Sequence, residues 1–170
     1  MNLFTPLAVR LGALSWMPRL LPQITATDKF LQRVTRGRLT LLRLAGLPNL
    51  MLTVRGRRSG LTRTTPLLCV PHGSGHLIAG SNWGGEKPPV WVLNVRAAAE
   101  KAEPVGVRVE GRSHQALVRE VTGEERERLW NTFADYPGWG DDIEGLARQR
   151  SGETAVVVLE PRPAGKAVAS

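Results

Sequence analysis

Residues 50–81 read LMLTVRGRRSGLTRTTPLLCVPHGSGHLIAGS, and this stretch decides the architecture. Two runs, Met51–Arg57 and Thr64–Val70, are rich in apolar and β-branched residues and flank Gly56-Arg57-Arg58-Ser59-Gly60. Glycines at both ends of a polar cluster between such runs spell a β-hairpin. A second turn, His72-Gly73-Ser74-Gly75-His76, leads into the apolar run Leu77–Ser81. Strands joined by turns this tight pair antiparallel, since a parallel return needs a crossover of roughly a dozen residues or more.

Downstream, Pro88 and Pro89 precede Val90–Ala99, a helix of about ten residues opened by proline, whose missing N–H costs nothing there. Val105, Val107 and Val109 alternate with small or polar residues as a strand does, and Gly111-Arg112 turns the chain into Gln115–Val121. Thr122 with Glu125 three residues on predicts a capping box, Leu129, Trp130 and Phe133 form the buried stripe, and Pro137-Gly138 stops that helix. Residues 140–150 read as a further short helix and Ala155–Glu160 as the last strand. The order is β-β-β-α-β-β-α-(α)-β. Six antiparallel strands on short connections remove their edges by closing into a barrel. Without βαβ alternation, a doubly wound nucleotide fold is disfavoured.

Upstream, Leu3, Leu7, Leu11 and Leu14 recur at helical spacing, with Trp16 and Met17 before Pro18. A second helical segment starts at Thr27 and Asp28. It carries Phe30, Val34, Leu41 and Ala45 on one stripe, and Lys29, Arg33, Arg36 and Arg43 elsewhere. The chain thus divides into a basic amphipathic helical extension (1–48), a barrel domain (49–161) and a flexible Pro/Gly/Ala-rich tail (162–170). The extension suits either of two roles: packing on the barrel, or lying on anionic lipid with Trp16 at the interface. Arg10 interrupts the first apolar run and no small-residue cleavage site follows cleanly, so it does not read as a secretory signal. No apolar run reaches the roughly 18–20 residues of a membrane span. The expected location is cytoplasmic, with peripheral contact on the inner face of the cell membrane.

The net charge of +8 suggests a polyanion binder until it is divided along the chain. Residues 1–63 hold eleven bases against Asp28 alone, a net of +10, and residues 64–170 net −2. The positive field is therefore local, and any anion should meet the first third of the chain. The lone Cys69 excludes a disulfide framework and an intrachain four-cysteine metal site, and three histidines do not suit a His-rich metal cage. There is no Walker A loop, G-x-S-x-G elbow or H-E-x-x-H pair. Cys69 sits in the run Leu67-Leu68-Cys69-Val70, which favours a buried, inert thiol over a nucleophile activated by His72.

What remains is the arginine turn. Arg55, Arg57, Arg58 and Arg63 fall within nine residues, beside two glycines and several hydroxyls. Guanidinium forks bind phosphate or carboxylate bidentately, and glycine lets backbone N–H groups approach the same anion. Composition alone reads such a turn as solvated, Trp91 as core packing and Asn94 as a helix-surface amide. The spaced motifs shift that reading. Gly-Arg-Arg-Ser-Gly-x-x-Arg-x-x-Pro-Leu at 56–67, Gly-Ser-Asn-Trp-Gly-Gly at 80–85 and Pro-x-Trp-x-x-Asn at 89–94 follow in order. Together with Tyr136-Pro137-Gly138-Trp139 and the Glu160-Pro161 strand end, they resemble the deazaflavin-dependent nitroreductase and quinone reductase family from about residue 50 to Pro161.

That resemblance implies a mainly β fold with α, the FMN-binding split-barrel type, and the cofactor F420, an 8-hydroxy-5-deazaflavin. It implies that Arg57, Arg58, Ser59 and Arg63 cradle the cofactor's anionic tail, and that Thr65, Pro66, Leu67 and Leu68 lie beneath the deazaflavin. Ala79, Gly80, Ser81 and Asn82, with Trp91 and Asn94, form the opposing wall. Ser81, Tyr136 and Trp139 are the implied catalytic residues, holding the acceptor over the ring. Asn82 stands where some members carry lysine, and Asp142 where the nitroimidazole-reducing type has tyrosine, so nitro-drug turnover does not follow. The expected function is hydride transfer from reduced F420 to an electron-poor acceptor such as a quinone. The alternatives are a split barrel that binds FMN, another cofactor or a lipid without turnover, and a basic nucleic-acid module. One phosphate does not call for four arginines, and a nucleic-acid site leaves the Trp and Gly motifs without a purpose, so no nucleic-acid partner is expected.

Overall fold

A computed structural model describes residues 48–81, 87–136 and 153–162. Seven strands and two helices follow in the order β1 (Asn49–Arg55), β2 (Thr62–Leu68), β3 (Val70–His72), β4 (Gly75–Ala79), α1 (Val90–Glu100), β5 (Val105–Val109), β6 (Arg112–Val121), α2 (Gly123–Ala134) and β7 (Val156–Pro161). The helices expected in the N-terminal extension and at 140–150, and the tail, lie outside the described residues.

All strands join one antiparallel sheet in the order β2-β1-β5-β6-β7-β4-β3. The count of seven rather than six has a simple cause. The second expected strand, Thr64–Val70, is split into β2 and β3, which are separated only by Cys69, whose N–H donates to the carbonyl of Pro48 at 3.1 Å. The two edges of the ladder are thus consecutive pieces of chain, and the sheet must curl until its ends meet. Six strands of sequence make a barrel in which one strand is broken and serves both edges.

The alternation of side chains sorts residues between two apolar cores. Leu50, Leu52, Val54, Val107, Val118 and Leu159 face inward and meet Trp91, Val92, Val95 and Ala98 of α1, whose spacing places them on one helix face. On the outside of the β4 and β7 region, Val70, Leu77, Val156 and Val158 meet Leu129 and Phe133 of α2. Glu110 and Gly111 both take positive φ, 50° and 83°, giving the tight turn that joins β5 to β6 with the twist the strands require.

Two expectations at α2 are corrected. Thr122 occupies the N-cap position, but its side chain makes no cap hydrogen bond. Glu125 does not reach back to it. Its carboxylate takes a two-pronged bond from Arg119, at 2.7 and 3.0 Å, two bonds to a cationic fork in place of one to a backbone N–H. Arg126, in the same helix, lies 5.2 Å from the Trp130 ring centroid and pairs with Glu153 at 2.9 Å.

Candidate functional site

The arginine turn is locked from within. Gly56 N–H donates to the Leu61 carbonyl at 2.9 Å, Gly60 N–H to the Gly56 carbonyl at 2.8 Å, and Leu61 N–H to Ser59 Oγ at 3.3 Å. Gly60 has φ of +69°, a conformation glycine takes without the Cβ penalty. A Cβ on Gly56 would sit 2.8 Å from Ser59 Oγ, so the residue at 56 has to be small for the turn to close. Arg55 is consumed by this scaffold, since its Nε donates to the Gly60 carbonyl at 3.2 Å.

One hydrogen bond ties the turn to another element. Arg57 N–H donates to Asn94 Oδ1 at 3.2 Å, and Asn94 is only 4% exposed. The sequence suggested a surface amide there; α1 instead presents Asn94 to the barrel with Trp91 and Val95. After these bonds, two amides of the turn, those of Arg58 and Ser59, have no partner among the described residues. Both residues are exposed, as are Arg57 and Arg63, and none of the three arginines 57, 58 and 63 has a carboxylate partner among the described residues. Two adjacent open N–H groups, the Ser59 hydroxyl and three guanidiniums unpaired among the described residues are donors of the kind that suit an anion.

The second feature is a split in the barrel. β3 pairs with β4 through Val70↔Leu77, Pro71↔His76 and His72↔Gly75. Continuing that register would set Leu68 against Ala79, Leu67 against Gly80 and Pro66 against Ser81, but the ladder stops at Val70. On its other side β2 remains paired with β1 along its whole length, including Met51↔Pro66, and β4 remains paired with β7. Two strand edges therefore diverge from Cys69, and Pro66 has no N–H to offer across the gap. The lips of this cleft carry Thr65, Pro66, Leu67 and Leu68 on one side and Ala79, Gly80 and Ser81 on the other, all partly buried except the fully buried Gly80.

Side-chain parity divides these residues. Thr65 and Leu67 lie opposite Leu52 and Leu50 and share their inward face. Gly80 also turns toward α1: a Cβ there would come within 2.7 Å of Val92 Cγ2, so this glycine is what lets the helix seat against β4. Leu68 and Ala79 turn outward and pack on the second core, as Tyr136 also does. Trp91, 8% exposed, is a member of the inner core. Tyr136 is half-buried just past α2, its N–H bonded to the Phe133 carbonyl at 3.2 Å. Asn82 and Trp139 lie outside the described residues. The fold thus gathers the turn, Asn94, Trp91 and Gly80 around α1, and Leu68, Ala79 and Tyr136 around α2, with the cleft between.

Elsewhere the chemistry is inert. Burial, and secondarily the charge of Glu110, pushes the Cys69 thiol up to about 12, so no thiolate forms near neutrality. Burial first, then His114, lowers the His76 pKa, with Glu110 opposing. His76 Nδ1 is buried without a hydrogen-bond partner among the described residues. A cavity of about 460 Å³ lies on the outer face of β1, β5 and β6, lined by Thr53, Thr64, Gly106, Arg108, Ser113 and Gln115 among others, and contains none of the motif residues.

Comparison with known proteins agrees in character. A family model described as F420H(2)-dependent quinone reductase matches residues 26–161. The chain is similar to a solved F420-H2 dependent reductase, FDR-A, with 27% identity and a TM-score of 0.55, over 66% of this chain and 94% of that one. It is also similar to a structure described as a domain-swapped dimer, with 27% identity and a TM-score of 0.58, over 80% of this chain and 95% of that one.

Proposed function

This chain belongs to the F420H(2)-dependent quinone reductase family, and on that premise we propose that its arginine turn and barrel split together hold coenzyme F420 for reduction of a quinone-like acceptor. The observation that carries this reading is the pairing of an anion site with a cleft, joined by one helix. Arg58 and Ser59 N–H, the Ser59 hydroxyl and the guanidiniums of Arg57, Arg58 and Arg63 suit a phosphodiester with a polyglutamate tail. The diverging edges Thr65–Leu68 and Ala79–Ser81 suit a flat ring.

When bound, the reduced cofactor supplies a hydride. The protein's part is position, exclusion of water and a proton. A quinone that takes up one hydride needs one proton to become the hydroquinone, so a hydroxyl near its oxygen completes the step. Ser81 on the cleft lip and Tyr136, which packs on the second core as Ala79 does, are the groups that hold the acceptor's oxygen and that proton, and the resemblance adds Trp139 as the aromatic for the acceptor. Cys69 takes no part, since its thiol stays protonated.

The membrane reading has its own support. Leu61 is 63% exposed at the edge of the turn and Val90 67% exposed at the start of α1, one helical turn before Asn94. Exposed apolar side chains beside unpaired arginines suit an anionic lipid surface, as does the basic charge of residues 1–48. That extension and the 49–161 barrel then act as separate units in one chain, docking the cleft where a lipid-soluble quinone resides. Deleting residues 1–48 should abolish sedimentation with anionic vesicles, and retained binding would refute the role of the extension.

The deciding experiment for the cofactor is a pair of titrations, with F420 and with FMN, followed by reoxidation of the reduced F420 complex by a soluble quinone. F420 should bind at least tenfold more tightly than FMN and the quinone should reoxidise it. Equal affinity, or no reoxidation, would overturn the reading.

A further inference from the structure

We infer that Asn94 is a positioning residue that couples the anion turn to the cleft, and that it does so through the Arg57 amide rather than by touching the deazaflavin ring. The inference deepens the reading above and rests on it.

Asn94 Oδ1 is already occupied, accepting from Arg57 N–H at 3.2 Å, and the side chain is buried among α1 residues of the inner core. The other hydrogen bonds that shape the turn, from Gly56, Gly60, Leu61 and Arg55, all begin and end within residues 55–61. They set its shape and not its place. The Asn94 bond links it to a different element, and that element is itself anchored at the cleft. Val92 of α1 packs against Gly80 on the β4 lip, and Arg96 forks onto Glu120 of β6 at 2.6 and 2.7 Å. Helix α1 thus works as a spacer. It sets the distance between the open amides of Arg58 and Ser59 and the lip at Gly80.

A spacer matters to a ligand that must reach both ends at once. Binding of one part raises the effective concentration of the other only when the separation fits. The part of the ligand that uses a single end is indifferent to it. The geometry therefore separates two roles for Asn94. As a ring contact it would be felt by a deazaflavin with or without a phosphate. As a spacer it is felt only by the phosphorylated form.

The test titrates wild type, Asn94→Ala and Asn94→Asp with F420 and with the deazaflavin riboside that lacks the phosphodiester, by fluorescence quenching. Asn94→Ala should weaken F420 at least tenfold and leave the riboside within twofold. Asn94→Asp keeps an acceptor for the Arg57 N–H and loses the amide donors, so it should recover most of the F420 affinity. Equal weakening of both ligands, or an Asp variant no better than Ala, would overturn the spacer role in favour of direct contact. Should Asn94→Ala not fold, the Asp variant and its riboside-to-F420 ratio carry the same decision. Wild type that binds the riboside but gains nothing from the phosphodiester would instead overturn the anion-turn reading beneath it.

Discussion

Val70 and Leu77 form the last rung of the β3–β4 ladder, and Leu68 and Ala79, which the same register would set opposite each other, do not pair. The barrel is opened there by one residue, Cys69, which turns its N–H to Pro48 instead of to the neighbouring strand. The described residues ascribed to the cofactor lie along the two edges so released, on helix α1, or in and beside the arginine turn.

The anion turn is tested by charge removal. Arg58→Ala with Arg63→Ala should weaken F420 by about 10- to 100-fold, since charge-assisted bonds contribute roughly 1.5–3 kcal/mol each and exposed ones less. The salt dependence of Kd should flatten in parallel. Arg55→Lys is the contrast, because Arg55 is committed to the Gly60 carbonyl. An unchanged Kd in the double variant would place the anion elsewhere.

Tyr136 is tested by turnover. Tyr136→Phe keeps the ring packed beside the second core and removes only the hydroxyl. Single-turnover reoxidation by quinone should slow by roughly tenfold or more, the lower range for a positioned proton donor, while F420 affinity stays within a few-fold. Equal rates would assign the proton to Ser81 or water.

Gly80 is tested by size. An added Cβ would meet Val92 Cγ2 at 2.7 Å, so Gly80→Ala should cost about 1–3 kcal/mol in urea unfolding, as overpacking does. Combining it with Val92→Ala should recover part of that loss if α1 seats through this contact. Strictly additive losses would show the two residues to be independent.

Thr122 should tolerate replacement unusually well for an N-cap. Thr122→Ala loses no side-chain cap bond, so the expected cost is below about 0.5 kcal/mol, whereas a working cap contributes around 1. A loss above 1 kcal/mol by chemical denaturation would mean the cap forms in solution after all.

His76 gives a pH dependence whose sign follows from its lowered pKa. Burial and His114 disfavour the imidazolium in the fold, so below the unfolded pKa of about 6.5 the unfolded chain binds more protons and stability falls as pH falls. Above that pH both states are neutral at this residue and its contribution is flat. The urea midpoint should drop between pH 7 and pH 5, and less so in His76→Phe. Parallel slopes for the two proteins would assign the dependence to other groups.

Local pattern carried much of this protein. The strands around residues 51–70, the proline-opened helix, the valine alternation at 105–109 and the apolar stripe of α2 are written in period and punctuation, which depend on near neighbours. The inertness of Cys69 was legible in its apolar run. The family resemblance carried by the motifs implied an anionic cofactor, where composition alone read the arginine turn as solvated. Three things were decided only when distant segments met. Glu125 turned to Arg119 on a neighbouring strand, leaving the cap that its own segment spells unformed. Asn94 went inside because its acceptor is needed by an amide 37 residues away, a contact with no local signature. The cleft itself arises because β2 and β3 serve opposite edges of one curled sheet. Periodicity can place a residue on a face, but which backbone groups stay unpaired is settled by closure of the whole ladder.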